Sequence, residues 1–542
     1  MTQKINLWLG GVLAALLVLA LCAGDGVRPA EAMLSSRVAP VTIITVDSGT
    51  DPDDNLSRTC ISHTPCTLRR AIAQAYTLPA DERPVLINFN IPAEAAHGYD
   101  ATHNLWRIQV YNTTQTSIFR RLNGDITIDG STQPGGRTTG PKIVIVGPGN
   151  GMKDGLVVGD VAGQNNHVIR GLGFQNLRTH IYLNTDYNTI EDNWFGLNDT
   201  GTAALLRGGS LQSGSGDSAI AFSAGSTGGG ADYNLVRNNY FLGLSGVALA
   251  IRGTHNTISD NFIGTRADGR VTEKQTDPSL ICSPVDWYGG SGISVADTDN
   301  IIEDNVFAGI RLQVSPPTIQ ADTIRLSGDN HIVRNNKLGL DAQDNEIGVC
   351  GRGIYLISGT KFNQITGNQI YQPGLSAISL NDSPSVSTSE ANTLRGNVVK
   401  KNTSWGQIDG QSEPESAIQL GPGIHTAFRN FNPAQVTVID DVTVEGTAGA
   451  NSPCPNCIIE LFLDDTDTII EALASLAVVT ADAQGNWTAT LAVPLVPGEG
   501  LRTTSTTAQW GTIPNMYDGT TTGLSQLYTI DYKLYLPLVS KQ

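Results

Sequence analysis

The chain has 542 residues, a formal charge of −17, 59 glycines and only 6% aromatic residues. So acidic a surface repels nucleic acid and anionic membrane, which excludes both as main partners. Much glycine with few aromatics suits a many-turned all-β chain.

Residues 1–32 read as a secretory signal: Lys4, an apolar run from Leu7 to Leu21, then Ala30-Glu-Ala32 as a small-x-small cleavage site. A lipid-anchored start at Cys22 is the weaker reading, because Leu21 stands where a small residue is wanted. The mature chain is expected to begin at Met33, secreted or at the cell surface, with no transmembrane span. Six cysteines then remain, an even number for an oxidising compartment. Cys60 with Cys66 and Cys454 with Cys457 pair most simply as sequence neighbours, leaving Cys282 for Cys350. Zinc is the competing reading of Cys454-Pro-Asn-Cys457, but no second Cys or His pair lies nearby.

Residues 33–122 read as an N-terminal cap. In it Leu68, Ala71, Ile72 and Ala75 recur at the spacing of a short amphipathic helix. A solenoid needs such a cap over its open end. The run Cys60…Cys66-Thr-Leu-Arg-Arg-Ala-Ile72, with Val85-Leu-Ile-Asn-Phe-Asn-Ile-Pro92 and Ile126-Thr-Ile-Asp-Gly-Ser-Thr-Gln-Pro-Gly135, resembles the opening of bacterial CSLREA-type secreted β-helix proteins. Arg70 stands where that family usually has an acidic residue. The resemblance implies a secreted right-handed parallel β-helix of the pectin-lyase-like kind and little about chemistry.

Residues 123–431 carry a repeated template: Asn, an aliphatic residue at +2, Asn at +5 and a large apolar residue at +7. Copies start at Asn188, Asn234, Asn256, Asn300, Asn363 and Asn392, with relaxed copies at His167 and His331. Separations of 21 or 22 residues between the tightest copies suit one coil of three short strands. Alternating apolar pairs lie between copies, from Ile181/Leu183 through Ile324/Leu326 and Ile354/Leu356 to Ile418/Leu420, a period of two that signals strands. Asn suits the turns because it tolerates left-handed backbone, and stacked Asn side chains can pass amide hydrogen bonds from coil to coil. The expected fold is an all-β, right-handed parallel β-helix of about ten coils, about 48 Å long at the inter-strand spacing. Insertions leave it at one phase: 196–217, 264–290, 308–321, 339–352 and 400–415.

Beyond 431 the template stops. Short strands around Val436–Val444, Ile458–Leu463, Leu473–Val479, Trp487–Val493 and Leu501–Thr507 have the spacing of a β-sandwich. Residues 432–530 resemble the bacterial immunoglobulin-like modules of secreted proteins. The last stretch, 531–542, is either an edge strand or a sorting tail.

Secreted β-helices often process carbohydrate, but fold alone is analogy. Asn184-Thr-Asp186 matches one polygalacturonase signature, yet the companion Gly-His-Gly and Arg-Ile-Lys motifs are missing. A lyase would need a cation against a uronate carboxyl and a base beside it. The outward strip of the alternating strands reads Tyr182, Ala221, Ala250, Ser294, Arg325, Tyr355, Ser379 and Gln419, with one Arg and no carboxylate. Gly147–Asp154 lacks the register of a phosphate loop, and Asp51-Pro-Asp-Asp-Asn55 lacks that of a calcium loop. Glu191-Asp192 and Glu303-Asp304 recur at one template position, which favours a solvated strand face. No catalytic residue, metal or cofactor is assigned. The residues favour structure, adhesion or glycan binding, the partner being an extracellular polysaccharide or cell-surface component, with Trp287, Tyr288, Trp405, Tyr182, Arg325 and Tyr355 as candidate contacts. A polysaccharide lyase or glycoside hydrolase is the rival reading.

Overall fold

The computed structural model describes residues 42–51, 55–110, 117–148, 153–159, 166–205, 218–223, 231–244, 246–271, 292–310, 322–349, 351–357, 359–371, 373–380, 391–400, 417–420, 432–448, 455–467, 469–508 and 519–529. The fold is the expected all-β parallel β-helix. Three long sheets run along it: sheet 1 with eleven strands from Thr42–Val46 to Thr393–Arg395, sheet 2 with nine from Leu156–Val158 to Ile418–Leu420, and sheet 3 with eleven from Tyr99–Asp100 to Val398–Lys400. The parallel ladder of sheet 1 begins inside the segment expected to be a cap, because Thr42–Val46 pairs with Val85–Phe89, and Val85–Ile87 with Ile126–Ile128. The helix Leu68–Thr77 buries Leu68, Ala71, Ile72 and Ala75 against this end, and Thr67 caps it by accepting from the Arg70 amide. Cys60 and Cys66 form a disulfide there.

Each coil sends its alternating apolar residues inward, so Ile181/Leu183, Ile324/Leu326 and Ile354/Leu356 line one continuous core together with the stacked Phe174, Phe195 and Phe241. Two amide ladders run beside it. One passes through Asn188, Asn234, Asn256, Asn300, His331, Asn363 and Asn392, and the other through Asn193, Asn239, Asn261, Asn305, Asn336, Asn368 and Asn397. In the second, the Asn239 N–H and Nδ2 both donate to Asn261 Oδ1 at 3.0 and 3.1 Å, and Asn261 Nδ2 donates to Asn305 Oδ1 at 3.0 Å. These side chains are buried, so each amide is satisfied only by its neighbours.

The ladder Asn residues do not themselves take the left-handed conformation expected of them. The left-handed residue is the one before each ladder Asn: Tyr187, Tyr233, His255, Asp299, Phe362 and Ala391 before the first ladder, and Asp192, Asn238, Asp260, Asp304 and Asn335 before the second. Asn is required for its amide, and the turn strain falls one residue earlier.

The acidic pairs are also placed otherwise than expected. On the outer face of sheet 1 the register aligns Asp129, Arg170, Glu191, Arg237, Ser259, Glu303, Arg334, Thr366 and Arg395. Glu191 and Glu303 are buried there, held by Arg237 at 2.8 Å and Arg334 at 2.6 Å. Periodicity alone cannot tell a solvated acid from one that a neighbouring coil neutralises.

After residue 431 come antiparallel sheets of three and four strands sharing a core of Val444, Ile459, Leu461, Trp487, Ala489 and Leu501. They close the far end of the rod. Thr520 and Thr521 hydroxyls accept from the Ala391 and Leu394 amides, Val399 bridges Ala472, and the Gly396 N–H donates to Glu460 Oε1 at 3.0 Å.

Candidate functional site

Among the described residues, the outer faces of sheets 1 and 3 are tied by contacts between coils. Sheet 1 carries the ion-pair ladder. On sheet 3 the aromatics Trp194, Tyr240 and Phe262 follow one another in register, and the Trp194 ring is covered by the Arg137 guanidinium at 4.8 Å and by the turns at Gly140 and Gly201. The insertions that leave sheet 3 stack as they go, the Ala267 amide bonding Gly201 and the Ala342 amide bonding Gly269. A further stack, Tyr187 on Tyr233 on His255, lies at the turn into sheet 1 with ring centres 5.0 and 4.7 Å apart. The stack covers both faces of the Tyr233 ring and ties three coils together.

Sheet 2 is different. Its pairing puts Tyr182, Ala221, Ala250, Ser294, Arg325, Tyr355, Ser379 and Gln419 side by side, the strip expected from the alternating pattern. Tyr182 and Arg325 are half-buried walls at either end of a floor of Ala221, Ala250 and Ser294. Four coil steps make this trough about 19 Å long. Tyr355 is only 6% exposed, and the Arg352 and Arg325 guanidinium carbons lie 4.7 and 5.9 Å from its ring centre. It therefore seats two guanidinium groups instead of offering a ring face. Ser379 is buried beyond it.

Two residues that the strip omitted join this end. Asp322 and Arg352 each stand two positions before a sheet 2 strand, on adjacent coils, with Arg352 Nη1 3.5 Å from Asp322 Oδ1. Asp322 is fully buried, and burial raises its pKa against the opposing pull of Arg352 and Arg325. Asp322 Oδ2 and Arg352 Nε have no hydrogen-bond partner among the described residues. The signal that could have found them was available: reading the template two residues upstream of each alternating pair brings a carboxylate and an arginine together.

Other candidates resolve into structure. Asp186 Oδ1 accepts from the Asp232 amide at 2.9 Å and Asn184 Nδ2 donates to Gly159 O at 3.1 Å, so the polygalacturonase-like triplet is an inter-coil turn. Asp100, His103 and Asp199 lie close enough to share a cation, but Arg107 already pairs with both carboxylates. Asp465 and Asp467 accept from backbone amides of their own turn beside Glu471. Cys457 is disulfide-bonded. Trp287, Tyr288, Trp405, Cys282, Cys350 and Cys454 lie outside the described residues, as do residues 1–41 and the tail from 530. No helix among the described residues is long and apolar enough to cross a membrane.

A solenoid of coils stacked into three long sheets defines this chain as a β-helix protein. In keeping with that, the family model for a right-handed β-helix region matches residues 271–432. No curated protein matches the chain by sequence. Among solved structures it is similar to the Azotobacter vinelandii mannuronan C-5 epimerase AlgE4 A-module, at 12% identity over 65% of this chain and 86% of that one, with a TM-score of 0.33. It is likewise similar to an alginate lyase from a Paenibacillus species, at 13% identity over 70% and 99% with a TM-score of 0.33. The tailspike protein of Escherichia coli bacteriophage HK620 matches at 11% identity over 81% and 88% with a TM-score of 0.27.

Proposed function

We propose that this is an exported, surface-associated β-helix protein that binds an extracellular polysaccharide or cell-surface glycan lengthwise in the trough of sheet 2. The observation that carries the proposal is the registered strip from Tyr182 to Arg325: an aromatic side chain, three small residues and a guanidinium side by side on the outer face of sheet 2. The coil spacing of about 4.8 Å is close to the length of one pyranose in an extended chain, so successive sugars would meet equivalent positions on successive coils. The small floor admits a chain, and Tyr182 supplies an apolar face with a polar tip. The signal-like N-terminus and the acidic body support export. Trp287, Tyr288 and Trp405 remain further candidate glycan contacts on their sequence position alone.

Glycan-array binding tests this reading with the intact chain and with Tyr182→Ala. Retained melting temperature with lost glycan signal is the expected result. If Tyr182→Ala binds as the parent does, the trough is not the binding site.

Asp322 beside Arg352 motivates the second reading, a lyase or hydrolase, since a carboxyl with a raised pKa and an adjacent guanidinium are parts such chemistry uses. Its burial holds it away from a ligand in the trough, which is why binding is preferred. Release of reducing ends or unsaturated uronate by the parent and not by Asp322→Asn would reverse that preference.

A further inference from the structure

The trough of sheet 2 is electrically uneven, and the unevenness narrows the class of glycan that fits it; the inference rests on the binding reading above. On sheet 1 the outward-facing Arg170, Arg237 and Arg334 are each matched by a carboxylate, at 2.6, 2.8 and 2.6 Å, and Arg395 lies 3.8 Å from Glu460. Arg325 breaks this habit. It is half-buried at the end of the strip and has no hydrogen bond or salt bridge among the described residues; the Tyr355 ring lies against it, and Asp322 attracts it only from beyond salt-bridge distance. Arg352 shares that ring and makes only a long contact to Asp322. Among the described residues this end carries two guanidinium groups against one buried carboxylate, while Tyr182, Ala221, Ala250 and Ser294 carry no charge.

An extended homopolyuronate would set a carboxylate over every coil. Only one of the five positions from Tyr182 to Arg325 could answer it with a cation, and the rest would lie over neutral floor on a body of charge −17. A wholly neutral glycan would leave the Arg325 guanidinium covered and unpaired, which costs binding energy. We infer that the ligand is a glycan of otherwise neutral sugars carrying one isolated acidic sugar, whose carboxylate is received by Arg325 with Arg352 behind it. The planar fork of Arg325 suits a carboxylate bidentately, and the Tyr355 ring holds that fork in place.

The test is calorimetric titration of the intact protein with three sets of probes. These are neutral cello-, xylo- and manno-oligosaccharides, the same oligosaccharides with a single glucuronic acid substituent, and an oligogalacturonate of equal length. The singly acidic probe is expected to bind about tenfold or more tighter than its neutral counterpart, the gain shrinking at high salt. Arg325→Gln should abolish the difference in affinity between the singly acidic probe and its neutral counterpart, with the melting temperature unchanged. Tyr182→Ala should weaken neutral and singly acidic probes alike. Equal affinity for those two, tightest binding of the oligogalacturonate, or an equal loss for all probes in Arg325→Gln would overturn the inference while leaving the trough in place as a binding site. If none of the three sets binds, the trough reading itself fails and this inference falls with it.

Discussion

Replacing Asn261 by leucine tests the amide ladder, because the two side chains are similar in size and the change deletes hydrogen bonds without opening a cavity. Asn261 is fully buried. Its Oδ1 accepts from the Asn239 N–H and Nδ2, and its Nδ2 donates to Val236 O, Ser259 O and Asn305 Oδ1, at 2.9, 2.9 and 3.0 Å. The Asn239 amide side chain keeps its bonds to Ile190 O and Arg237 O, whereas its backbone N–H loses its acceptor. An orphaned buried N–H costs about 1–3 kcal/mol, and the three acceptors that each lose one donor add less, so the total is about 2–4 kcal/mol. Urea unfolding followed by intrinsic fluorescence should show the midpoint lowered with the slope unchanged. An unmoved midpoint would mean that the ladder is geometry without energetic weight, and the argument from amide satisfaction would be wrong.

His331 occupies an Asn position in the first ladder, and its Nδ1 accepts from the Asn300 N–H at 3.2 Å. Burial lowers its pKa, so the folded state favours the neutral ring: the stabilisation is full above the unfolded value of about 6.5 and is lost as pH falls through that value towards the folded one. His331→Asn should match the parent above about pH 7 and melt higher than it below about pH 6; calorimetry giving parallel pH curves would refute this. Ending the chain at residue 431 should strip the last coil of its Thr520, Thr521 and Ala472 partners and expose a sheet edge. Light scattering is expected to show self-association, and a monodisperse rod with unchanged melting would show that the C-terminal sheets are dispensable as a cover.

Much of the rod was legible because a coil repeats its neighbour. The template from Asn188 to Asn392 marks two turns per coil, and the alternating pairs mark the strands of sheet 2. Repetition then dictates register, so Tyr182, Ala221, Ala250, Ser294 and Arg325 could be aligned before any coordinate was known. What the repeat does not encode is how each position is used once coils are stacked. The recurrence of Glu191 and Glu303 says that they share a face; only the stacked coils show Arg237 and Arg334 beside them. The alternation that turns Tyr355 outward is blind to the two guanidinium groups that cover its ring. Asp322 and Arg352 sit 30 residues apart, and their meeting depends on one coil closing beneath the next. The same holds at the far end, where sheets that read as a separate module become the cover of the last coil through Thr520, Thr521 and Val399. Secondary structure and register follow from local periodicity, which is written in the sequence, whereas burial and charge pairing follow from which surfaces meet, which only the tertiary structure decides.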